Sequence, residues 1–376
     1  LYTAHLVEVF TFNIQSVPFN KKQVSHIEEL LLLTKEMDAS DLHLSAYSPP
    51  AIRVGGYLMP VKCPSLTPEE IRRLIDQLLT PRQREVLEER KAVDLAVEVS
   101  GMGRFRINSY YQRGFITAAI RRLADRIPEL ETLGLPPSVW KLADLKDGLV
   151  LVTGTTGSGK TTTLAAIIER INATSRRNII TIEDPIEYQH FNRQSIINQR
   201  ELYSDVPSFF DGLRSALRAD PEVILVGEMR DLDTMRTAVM AAETGHLVFS
   251  TLHSRDAVSS ITRVLGIFSP EEQNQIKQQL SISLRAVISQ QLLPRADAPG
   301  LRVLASEVMF ITPAISNLIR LGKLENIFTA IETGKKHGMQ TTEQSLLSLY
   351  KKGLIDYRTA LQSARNPSFI KEKIGT

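Results

Sequence analysis

A single cysteine stands in this 376-residue chain. Cys63 by itself cannot close an internal disulfide or build a four-ligand zinc site, which points to a reducing, cytoplasmic setting and a small buried thiol. Long apolar runs are also missing: none approaches the roughly 18 to 20 residues that a membrane-crossing helix needs, so any membrane association is expected to be peripheral. Nor is there a long block of one charge. The 45 basic and 42 acidic residues are spread along the chain, and the net charge of +3 neither requires nor forbids nucleic acid. Residues 1–20 lack the basic start and small-residue cleavage site of a signal peptide, and residues 1–22 are expected to form an N-terminal extension.

What is present is the composition of an ordinary globular protein, with 43% hydrophobic and 23% charged residues. The length exceeds one comfortable core, so two or three domains are expected. Residues 23–123 read as an α+β domain. VSHIEELLLLTK has helical spacing, DLHL alternates as a strand does, and Gly55-Gly56 between two short apolar runs marks a hairpin. LTPEEIRRLIDQLLTPRQREVLEER reads as two helices broken at Pro81, the first capped by Thr67 with Pro68 behind it. Residues 124–147, with Gly134, Pro136 and Pro137, are expected to be a linker. Four apolar strands interleaved with helices then follow (GLVLVTG, NIITIED, EVILVGE and HLVFSTLH), the pattern of a parallel α/β core over 148–312. Within it, SSITRVLGIF and EEQNQIKQQLSISLRAVISQQLL read as helical and VLASEVMFI as a short strand; residues 313–376 read as a helical bundle.

Gly154-Thr155-Thr156-Gly157-Ser158-Gly159-Lys160-Thr161, followed by Thr162, satisfies the Walker A pattern between an expected strand and an expected helix. Glycines let backbone N–H groups turn inward on phosphates, and the helix N-terminus adds positive potential. Lys160 is expected to reach the β- and γ-phosphates of ATP, and the Thr161 hydroxyl to ligate Mg²⁺. Strand ends supply carboxylates: Glu183 and Asp184 after the second, near the metal and its waters, and Glu228 after the third, the first choice for the base. Arg230, His246 and His253 are candidate sensors, His253 by its place after the fourth strand.

Together these stretches resemble the secretion ATPase superfamily: a Walker A, an aspartate box (TIEDPIEY), a Walker B (LRADPEVILVGEMRD) and a histidine box (TGHLVFSTLH). Glu222 departs from the aspartate usual there. Assembly and secretion ATPases of the superfamily typically carry a four-cysteine module that this chain cannot build. AISNLIRL at 314–321 resembles the C-terminal motif of the PilT-type retraction family, with Ser316 in place of arginine and Leu321 in place of glutamate. The resemblance implies a RecA-like core preceded by a PAS-like domain, and a cytoplasmic homohexamer. It further implies ATP and Mg²⁺ as cofactors and a peripheral seat on the inner membrane against a pilus platform protein, with no nucleic acid. It also implies arginines reaching a nucleotide across the ring, for which Arg104, Arg106 and Arg121 are the candidates. An assembly or type II secretion ATPase, a RecA-like nucleic-acid motor and a nucleotide-gated scaffold are the alternatives.

Overall fold

The structure, a computed structural model, describes residues 17–19, 24–124, 126–298 and 300–374; most of the expected N-terminal extension lies outside them. The chain forms two compact units, residues 1–125 and 126–376.

In the first unit, helix α1 (Ile27–Glu36) leads into strands β1 (Asp41–Leu44), β2 (Ala51–Val54) and β3 (Tyr57–Pro60). Helices α2 (Pro68–Asp76) and α3 (Pro81–Arg90) precede β4 (Ala92–Val99), β5 (Gly103–Gln112) and β6 (Phe115–Arg122). Gly55 and Gly56, both at positive φ, make the two-residue turn between β2 and β3. Thr67 and Thr80 each close a capping box ahead of a proline, which is why the two helices start where they do. The six strands are antiparallel in the order β3-β2-β1-β6-β5-β4. Leu42, Ile52, Phe105, Ile107 and Ile120 face the apolar core shared with Leu30, Leu31, Leu74 and Ile75 of the helices. Alternation sends the arginines to the other face: Arg121 lies opposite both Asp41 and Arg106.

The second unit opens on two short 3₁₀ helices, Leu130–Leu133 and Pro137–Asp144. Leu130, Val139 and Leu142 are buried in its core, so most of the stretch expected to be a linker packs as part of this unit. Proline and glycine signalled broken structure there, but a broken backbone can still bury its apolar side chains. The central sheet contains β7 (Gly148–Gly154), β8 (Asn178–Glu183), β9 (Ile196–Glu201), β10 (Val223–Val226), β11 (Leu247–Leu252), β12 (Leu284–Pro294) and β13 (Arg302–Phe310). Their order is β13-β12-β7-β11-β10-β8-β9, parallel except for β13. On one face α4 (Lys160–Thr174) and the 3₁₀ helices cover Val150, Val152, Leu225 and Phe249. On the other, α5 (Phe209–Ala216), α6 (Leu232–Glu243), α7 (Ala257–Ile267) and α8 (Pro270–Ser283) cover Leu149, Leu151, Ile224 and Val248.

Two strands differ from the expectation. LRAVISQQLL was expected to continue a helix, but the chain leaves α8 at Ser283 and runs as β12. Both faces of β12 are buried, Ser289 and Gln290 included, so its sequence carries no period of two to separate strand from helix. The polar edge strand β9, IINQRE, was not anticipated at all. After β13 come α9 (Pro313–Leu321), α10 (Ile327–Glu332), α11 (Thr342–Lys351), α12 (Tyr357–Ser363) and α13 (Pro367–Ile374). The first two of these share the main core through Ile315, Ile319, Ile327 and Ile331, so they do not stand apart as a bundle. The last three pack on Leu293 and Ala305 of the sheet edge. Among the described residues no helix is long and apolar enough to cross a membrane.

The C-terminal helices are anchored by a buried charge cluster. Glu307 on β13 accepts the Ala257 N–H at 2.8 Å, and Arg365 approaches Glu307 at 3.7 Å and Asp256 at 3.5 Å. Glu343 accepts the backbone N–H groups of Arg365 and Asn366, each at 3.0 Å. Burial pushes the Glu307 carboxyl up to about 7; Asp256 and Glu343 add to that, while the Ala257 N–H and Arg365 oppose it. A carboxyl whose pKa rises on folding favours the folded state fully below its ordinary value, 4.5, and that contribution is lost as pH climbs through about 7. The loss amounts to about 3 kcal/mol. Glu307→Gln should therefore match the wild type in thermal midpoint at pH 5 and exceed it at pH 8, read by scanning calorimetry at both pH values.

Candidate phosphate-binding site

Because β7, β8, β10 and β11 are parallel and hydrogen-bonded in the order β7-β11-β10-β8, their carboxyl ends meet along one edge. Open α/β sheets place their ligand sites along such an edge. β7 ends at Gly154, and the loop to Gly159 turns directly into α4. Gly154, Gly157 and Gly159 hold φ values of 146°, 77° and 91°. Gly154 has a second reason to be glycine: a Cβ there would lie 2.4 Å from both the Gln290 carbonyl oxygen and Ser158 Oγ.

Lys160 opens α4 with only 9% of its surface exposed, and its ammonium donates to the carbonyls of Gly154 and Thr155 at 3.0 Å each. Burial holds its pKa below the usual lysine value, and the negative charges of Glu228 and Glu187 work against that fall. Ser158 Oγ is buried without a hydrogen-bond partner, the condition of a loop group shaped for a ligand. Thr161 and Thr162 follow in the first turn, with Thr162 Oγ1 2.9 Å from the Tyr188 hydroxyl. Behind the loop, Gln290 Nε2 donates to Thr163 Oγ1 at 2.7 Å, and Thr153 and Ser289 share a 2.8 Å hydroxyl contact. A cavity of about 640 Å³ opens beside Gly154 and Thr155, walled in part by Gln290, Ser363 and Arg365.

The carboxylates lie along the same edge. Glu228 is largely buried and is engaged by Arg230 at 2.5 Å and His253 Nε2 at 3.5 Å. Burial lowers the His253 pKa below the ordinary histidine value; Lys160 and Arg230 lower it further, against the opposite pull of Glu228. The ring is thus neutral at pH 7, able to donate one hydrogen bond without a charge. Glu183, buried at the end of β8, accepts from Thr181 Oγ1 at 2.6 Å and from Gln199 Nε2 at 3.0 Å. Asp184 follows it, exposed.

The other expected residues have partners of their own. His246 precedes β11 at the opposite end of the sheet: its carbonyl accepts from Gly148 N at the start of β7, and its ring meets the Ala241 carbonyl at 3.1 Å. That position closes the end of α6, away from the Lys160 loop. Arg104, Arg106 and Arg121 belong to the first unit. Arg106 makes a two-point contact with Asp94, at 3.2 and 2.6 Å, and Arg121 donates to Asp41 at 2.8 Å. Burial would raise the Asp41 carboxyl, but hydrogen bonds from Ser40 and Arg121 hold it below the usual aspartate value. Arg104 shares the face of Arg106, two residues earlier on β5. Gln199 was not singled out from sequence; a lone polar residue on a short polar strand carries no spacing signal.

Comparison with known proteins gives consistent matches. The family model described as type II/IV secretion system protein matches residues 22–346. A Pseudomonas aeruginosa protein named type IV pilus retractation ATPase PilT is 46% identical over 341 residues, covering 91% of this chain and 98% of that protein. A Neisseria gonorrhoeae protein named twitching motility protein is 43% identical, covering 85% of this chain and 86% of its own. A crystal structure described as the pilus retraction motor PilT with bound ADP superposes with a TM-score of 0.87 at 46% identity, covering 93% of this chain and 100% of that one.

Gly154→Ala should close the loop on itself, because both the contact and the positive φ oppose a side chain. Affinity for ADP is expected to fall at least about tenfold, a loss of about 1.4 kcal/mol, by equilibrium titration. An unchanged affinity would show that the loop does not need this close approach.

Proposed function

The chain belongs to the type II/IV secretion system protein family, and from that membership we propose that it is an ATP-hydrolysing, homohexameric motor that powers type IV pilus retraction and twitching motility. The observation that carries the reading is the convergence of the Lys160 loop with Glu228 and His253 at one sheet edge, where Glu228 acts on both Lys160 and His253 and Lys160 on His253.

In this reading the loop's inward N–H groups and the start of α4 cradle the phosphates, and Lys160 exchanges the Gly154 and Thr155 carbonyls for phosphate oxygens. The cavity beside the loop has room for the nucleoside. Magnesium, when bound, offsets phosphate charge; the Thr161 hydroxyl and, through water, Asp184 are the groups that suit an ion keeping most of its waters. Glu228 orients a water and takes its proton once Arg230 releases it, with Glu183 as the second carboxylate. Neutral His253 donates to the γ-phosphate and registers its departure. Arg104, Arg106 and Arg121 are assigned to phosphate contacts in the assembled ring, where a planar guanidinium suits phosphate. The antiparallel first unit is read as a PAS-like domain. Work would come from a nucleotide-dependent change between rigid bodies, delivered to an inner-membrane platform protein from the cytoplasmic side.

Glu228→Gln should lower phosphate release about 10²- to 10⁴-fold while ADP still binds. Cells lacking the protein should carry excess pili that do not retract; fewer pili would overturn retraction in favour of assembly.

A further inference from the structure

Glu183 Oε1 accepts two side-chain hydrogen bonds, from Thr181 at 2.6 Å and Gln199 at 3.0 Å. Neither donor is adventitious. Thr181 is fully buried on β8, two residues before Glu183 and on the same face. Gln199 stands on β9 in register with Thr181, so its side chain shares that face.

The Gln199 amide also donates to the Tyr188 carbonyl at 2.9 Å and accepts the His190 N–H at 2.8 Å. It thus touches a carboxylate, a carbonyl and a backbone N–H at once. An uncharged amide can donate twice and accept once in this way; a carboxylate has no proton for Glu183 or Tyr188, and a hydrocarbon would take this partner from the Tyr188 carbonyl and the His190 N–H and leave Glu183 one hydrogen bond poorer. The segment held by Gln199 is fastened again to α4. The Tyr188 hydroxyl meets Thr162, one residue after Thr161, and the buried His190 ring meets Glu169 at 2.8 Å.

We propose that Gln199 is a positioning residue for hydrolysis: it fixes the Glu183 carboxylate and links it, through Tyr188, to the first turn of the P-loop helix. This rests on the reading that Glu183 takes part in turnover. Partners that orient metal-ligating groups change activity about 10- to 100-fold when removed, and a loss of the same order is expected for a hydrogen bond behind a working carboxylate.

The test is steady-state phosphate release by the full chain, with thermal midpoint and ADP affinity measured beside it. Gln199→Leu should lower kcat about 10- to 100-fold with KM and ADP affinity held. Placed on a Glu183→Gln background, it should cost nothing further. Wild-type kcat in Gln199→Leu would overturn the proposal, as would the same loss repeated on the Glu183→Gln background, because Gln199 would then act on something else. Wild-type turnover by Glu183→Gln alone would instead remove Glu183 from the reaction, and the proposal with it. Should Gln199→Leu not fold, the uncharged and similarly shaped Gln199→Met goes through the same cycle, read in the same way.

Discussion

A buried ammonium group held by two carbonyls of its own loop is the interaction around which this chain is arranged. Lys160 is nearly excluded from water, and desolvating a cation is costly unless oxygen atoms replace its hydration. The loop meets that need with Gly154 and Thr155, on the backbone path that glycine alone takes without strain. A phosphate oxygen would carry more negative charge than either carbonyl, so the arrangement favours exchange of one partner set for the other.

The sheet makes that exchange consequential. Parallel strands in one register bring Glu183, Glu228 and His253 to the edge where the loop sits. Lys160 lowers the His253 pKa, Glu228 raises those of Lys160 and His253, and Arg230 occupies one Glu228 oxygen. A change in what Lys160 binds therefore reaches His253 directly and alters the balance with Glu228. The buried hydroxyl and amide contacts behind the loop, Thr153 with Ser289 and Gln290 with Thr163, hold β12 and α4 to the loop strand. Arg365, between the last two helices, meets Glu307 on β13 and Asp256 at the start of α7 and is tied to Glu343 on α11.

Much of this was legible in the sequence, and the reasons are physical. A glycine loop, an apolar strand before it and a helix after it are local features, and each strand-end carboxylate closes a mostly apolar run. His246 also flanks such a run, but at the end where the strand begins, which residue type alone does not tell apart from His253. β12 was read as helix because burial on both faces erases the period on which the distinction rests. β9 was missed for the opposite reason: an edge strand with a polar sequence has no apolar signature, and Gln199 went unnoticed with it. The cluster of Asp256, Glu307, Glu343 and Arg365 is assembled from four distant positions, and no spacing could have announced it.

Phosphate release from ATP by the purified chain, compared with that of Lys160→Ala under saturating nucleotide, addresses the central claim directly. The account predicts sustained release by the wild type and release at the uncatalysed background by the variant, with both chains equally folded. Equal rates from the two would contradict it, since hydrolysis would then proceed without the buried cation placed to grip the phosphates.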